Sequence, residues 1–65
     1  MKEFKMGRVW LDLFMTQKKI NKGWRVKVIS ENQIAVIRPN GTELGVWNPV
    51  TGILRSGEHI MNVQP

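Results

Sequence analysis

Sixty-five residues without a cysteine allow one domain, exclude disulfides and thiolate metal sites, and leave a core that buries only ~60% of the unfolded chain's surface. Ten Lys and Arg against five Asp and Glu give a net charge of +5, a balance suited to a polyanion such as DNA or RNA, or to an acidic protein surface. No apolar run approaches the ~18 residues of a membrane span and no export signal opens the chain, so the expectation is a soluble cytoplasmic protein with no membrane contact.

The first predicted element is a helix from about Gly7 or Arg8 to Ile20, because Val9, Trp10, Leu13, Phe14 and Ile20 recur at helical spacing in a stripe roughly 140° wide. Lys18, Lys19 and Lys22 complement the negative end of its dipole, and Gly23 offers the left-handed residue that ends helices. Leu11 and Met15, joined by Phe4 if the helix reaches back that far, fall on the other side of the stripe. Two readings of these three are open: a bland one, burial under the last strands or simple exposure as single apolar residues, and a second interface, either homodimeric or with another protein.

Three predicted strands follow, at 24–30, 34–38 and 42–47. Asn40-Gly41 is a strong hairpin signal because both residues tolerate positive φ, and as a two-residue loop it sets Arg38 against Glu43, Ile37 against Leu44 and Ala35 against Val46. A turn at Glu31-Asn32 sets Val28 against Ala35, Val26 against Ile37 and Arg25 against Arg38. Alternation then sends Trp24, Val26, Val28, Ala35, Ile37, Leu44 and Val46 to a core face. The opposite face receives Arg25, Lys27, Arg38 and Glu43 at one end, with Ile29, Ile34 and Trp47 at the other.

Residues 48–52 are turn chemistry, and the short apolar pieces Ile53-Leu54 and 60–63 predict one or two further strands. The expected fold class is therefore α+β: one N-terminal helix packed on a three- to five-stranded antiparallel meander sheet, with room to curl toward a small barrel.

Catalysis has little support. His59 is the lone histidine, beside Glu58 in a turn-like segment, and no two carboxylates are placed to share a substrate. Metal binding lacks a second histidine or a cluster of oxygens, so neither an enzyme nor a metal or other cofactor is expected. Gly45 sits inside a strand, where it thins the sheet beside Val36 or admits a ligand backbone.

The stretch from Lys18 to Lys27 carries five cations and no acid, and crosses from the helix end onto the sheet. A solvated helix end explains Lys18 and Lys19, and lysine on an exposed strand also discourages edge pairing. The helix end does not explain Arg25 and Lys27, and for the patch as a whole edge protection and a binding role stand as equal readings. The leading expectation is nucleic-acid binding: Arg25, Lys27 and Arg38 on phosphates or guanine edges, Lys22 extending the phosphate track, and Trp47 stacking on a base. The rival is a small inhibitor or adaptor that docks on an acidic protein, anchored by Trp47 and Ile34 and steered by the arginines. A structural account of Trp47 is also available, with Leu54 covering it after the Asn48-Pro49 turn.

Overall fold

In a computed structural model that describes residues 2–57, the chain runs β1 (Lys2–Lys5), α1 (Trp10–Phe14), α2 (Gln17–Asn21), β2 (Arg25–Ser30), β3 (Gln33–Ile37), β4 (Glu43–Trp47) and β5 (Ile53–Ser56). Strands β2 to β5 form an antiparallel meander, and β1 pairs with β5, giving a five-stranded sheet in the order β1-β5-β4-β3-β2. The predicted piece at 60–63 and His59 lie outside the described residues.

This corrects the expected fold class, because the molecule is mainly strand and no single long helix lies across the sheet. One residue interrupts that helix. Thr16 adopts an extended conformation (ψ 161°), and its hydroxyl accepts the Lys19 N–H at 3.3 Å, so it caps a new helix in place of continuing the old one. Lys2 to Lys5, where the sequence leaves room for the helix to reach back to Phe4, instead form a strand that pairs in register with β5 through Phe4 opposite Leu54.

The buried helical face also differs from the predicted stripe. Trp10, Leu11 and Phe14 are buried, whereas Val9, Leu13 and Ile20 are exposed. A five-residue helix completes little more than one turn, so its orientation follows tertiary contacts more than periodicity. The decisive contacts meet at Gly7, whose carbonyl accepts the Trp47 indole N–H at 3.2 Å and the Trp10 amide at 3.4 Å. Gly7 is in turn tied to the β4–β5 turn, since Met6 and Gly7 both donate to the Gly52 carbonyl. Gly52 has φ +76°, and a Cβ there would stand 2.7 Å from the Gly7 carbonyl carbon, so no other residue fits this junction without movement.

Both hairpins carry a one-residue shift that the turn chemistry does not reveal. Ala35 opposes Val46 as the Asn-Gly turn predicts, but a bulge after Val36 puts Ile37 opposite Glu43. A second shift between Val28 and Ser30 puts Val28 opposite Ile34, Val26 opposite Val36, Lys27 opposite Ala35 and Arg25 opposite Ile37. The predicted pairing of Arg25 with Arg38 does not form.

One row across all five strands is therefore Val28, Ile34, Trp47, Leu54 and Phe4, on the side of the helices. The neighbouring row, Lys27, Ala35, Val46, Arg55 and Glu3, lies on the helix-free side. Ile34 and Val36 thus replace Ala35 and Ile37 on the core face. The core joins Val36, Leu44, Trp47 and Leu54 to Trp10, Leu11 and Phe14. Its aromatic rings meet directly, Trp10 stacking on Phe14 at 4.8 Å and Trp24 meeting Phe14 edge-on at 5.5 Å.

Candidate nucleic-acid interface

Of the residues singled out from sequence, Lys22, Arg25 and Arg38 lie at the same end of the sheet. Arg25 opens β2 opposite Ile37, the last residue of β3. The face predicted to hold Arg25, Lys27 and Arg38 therefore keeps the first two, and alternation turns Arg38, the next residue, toward the other side. Lys22 ends α2, and the following Gly23 packs on Pro39 closely enough that a Cβ would stand 3.3 Å from the Pro39 ring. The Arg38 side chain is held by the hairpin it precedes: its guanidinium donates to the Thr42 hydroxyl at 3.1 Å and toward the Glu43 carbonyl at 3.5 Å. Thr42 is fixed in its own right by Asn40, whose side-chain oxygen accepts both its hydroxyl and its amide.

Lys27 lies one row further along the helix-free face. Lys22, Arg25 and Lys27 are exposed and make no ion pair with any described residue. Arg55, which sequence reasoning passed over, belongs to the same row as Lys27, where it pairs with Glu3 at 3.2 Å with both side chains largely in solvent. Its strand had no predicted register, so nothing in the sequence placed it on this face.

Trp47 does not join these cations. It is only 5% exposed, on the helix side of the sheet, with its indole nitrogen spent on Gly7. The candidate interface therefore loses its aromatic member. Leu11 is also in the core, with Phe4 and Met15 half-buried against it, so the three residues assigned to a homodimer interface are packed within the chain.

A hollow of about 160 Å³ opens beside Arg55, lined also by Gln33, Val46, Asn48, Thr51 and Ile53. Much of its polar lining is already used. The Asn48 side-chain oxygen accepts the amides of Val50 and Thr51, and the Thr51 hydroxyl accepts the amide of Ile53, so these groups build the β4–β5 turn.

Among the described residues no three His, Cys, Asp or Glu side chains gather to hold a metal, and no helix is long and apolar enough to cross a membrane. No family model matches the chain, and no curated protein or solved structure is similar to it.

Proposed function

We propose that this is a small nucleic-acid-binding protein whose contact surface is the basic end of the sheet, with Lys22, Arg25 and Arg38 on phosphates and Lys27 continuing the track onto the helix-free face. One observation carries the reading: the packing of Gly23 on Pro39 and the β2–β3 register bring Lys22 and Arg25 to the end of the sheet where Arg38 leaves β3, and Arg25 shares its face with Lys27. Arg25 and Lys27, two residues apart on one face with no described acid paired to them, repel each other unless an anion lies over them. Arg38 is already oriented by Thr42 and Glu43, which lowers the entropy lost when it engages a phosphate. With Trp47 buried, the expected mode is backbone contact rather than base stacking, and so weak sequence preference.

Titration of a labelled duplex and a labelled single strand at several salt concentrations tests this. Four phosphate contacts on a duplex give a slope of about −3.6 in log affinity against log salt, at ~0.9 per phosphate. Replacing Arg25 and Lys27 together with Ala should halve that slope while the thermal transition stays in place. Absence of binding at ~50 mM salt, or a salt slope the double variant leaves unchanged, overturns the reading.

A further inference from the structure

We propose that β2 is a docking edge for an extended segment of another protein in which acidic and apolar residues alternate. Within the described sheet β2 is the terminal strand, bonded on one side to β3, and all six of its residues are exposed. An edge strand presents backbone N–H and C=O groups ready to pair with an incoming strand. Here the two faces of the edge have distinct chemistry. Val26 and Val28, 43% and 68% exposed, lie on the helix side, and Arg25 and Lys27 lie on the other with no described acid paired to them. The opposite edge, β1, is shorter and mixes both signs of charge, with Glu3 already engaged by Arg55.

Charge decides what fits. A second copy pairing antiparallel over the unbulged residues Arg25 to Val28, with the faces of both sheets aligned, sets Val26 against Val28 but Lys27 against Lys27 of the other copy. Sliding by two residues to set Val26 against Val26 still opposes Arg25 to Lys27, and sliding the other way runs into the register shift between Val28 and Ser30. The edge thus rejects itself and any basic strand. A strand reading apolar, acidic, apolar, acidic places its apolar residues against Val28 and Val26 and its carboxylates against Lys27 and Arg25.

The test uses an acetylated, amidated nonapeptide of alternating glutamate and valine, titrated into the isotope-labelled protein with no nucleic acid present. The amide signals of residues 25–29 are expected to move, with an affinity at least ~10-fold above that of an equally charged peptide whose central valines are proline. A lysine-valine peptide is expected not to bind, and Lys27→Glu to reduce the preference for the glutamate peptide over it, with an otherwise unchanged spectrum certifying the fold. Equal binding of the proline peptide, signal changes confined to other strands, or no binding at ~1 mM overturns the proposal. Because nucleic acid is absent, such a failure leaves the phosphate-binding reading standing, and loss of that reading leaves this one standing.

Discussion

Strands β2 and β4 are both short runs mixing valine with charged or polar residues, yet β4 buries Leu44, Gly45 and Trp47 while β2 buries nothing. The difference comes from position. β4 lies between β3 and β5 and beneath the helical turn that carries Trp10 and Phe14, so its inner side chains have partners on every side. β2 shares the same sheet face but lies at the end of the described sheet. Alternation therefore names which side chains share a face, whereas cover decides whether that face is dry. A strand held in the sheet and left uncovered is suited to meeting a partner.

The largest effect that could break this comparison is at Trp47. Trp47→Ala removes a ring that touches Trp10 and the hydrogen bond to Gly7, and is expected to cost ~3–5 kcal/mol. For a domain of this size that is a large part of its stability, so the variant should be unfolded or close to it by circular dichroism at 25 °C. A cooperative transition within ~1 kcal/mol of wild type would mean that β4 is not the centre of the core.

Gly45→Ala comes next. A Cβ at that position would stand 2.7 Å from the Arg55 carbonyl oxygen, so β5 must shift away from β4, at an expected cost of ~1–3 kcal/mol by chemical denaturation. An unchanged midpoint would show that the β4–β5 contact relaxes freely.

These two positions also show how far the sequence was legible. The Asn-Gly turn correctly placed Ala35 opposite Val46, whereas the close approach at Gly45 comes from the Arg55 backbone of β5 and not from a ligand. What the turns could not report were the shifts after Val36 and Val28, since a bulge answers to packing between strands and not to loop chemistry. One residue of slip exchanged the faces of β3 and took Trp47 from the exposed face to the core. The basic residues survived better: Arg25 and Lys27 stayed on one face because the alternation within β2 holds up to the shift. Arg38 lost the place opposite Arg25 to Ile37, and Lys22 reached the same end of the sheet through a glycine packed on a proline, a contact with no sequence signature. The helix misreading has a local cause, because apolar residues on both sides of Thr16 imitate one long period that a single capping residue divides.

That division is itself testable at a smaller scale. Thr16→Ala removes the acceptor for the Lys19 amide at the start of α2, an exposed and rather long hydrogen bond. The expected loss is ~0.5–1 kcal/mol, seen as a lower thermal midpoint. No loss would mean that α2 is held by the packing of Lys19 over the Phe14 ring at 3.6 Å and not by its cap.

The smallest expected effect sharpens the comparison most. Val28→Thr changes a valine that faces the helix side in the same row as the buried Trp47 and Leu54, so a reading based on alternation alone predicts the loss of a core contact and a buried hydroxyl, at ~1–3 kcal/mol. At 68% exposure that hydroxyl is instead solvated, and threonine suits a strand as well as valine does. The expected change is within ~0.5 kcal/mol by denaturant titration, with the slope of the transition unaltered. A loss beyond ~1 kcal/mol would mean that something covers β2 in solution. Repeating the measurement over a range of protein concentrations would then separate a second copy, whose contribution grows with concentration, from cover supplied by the chain itself, which does not.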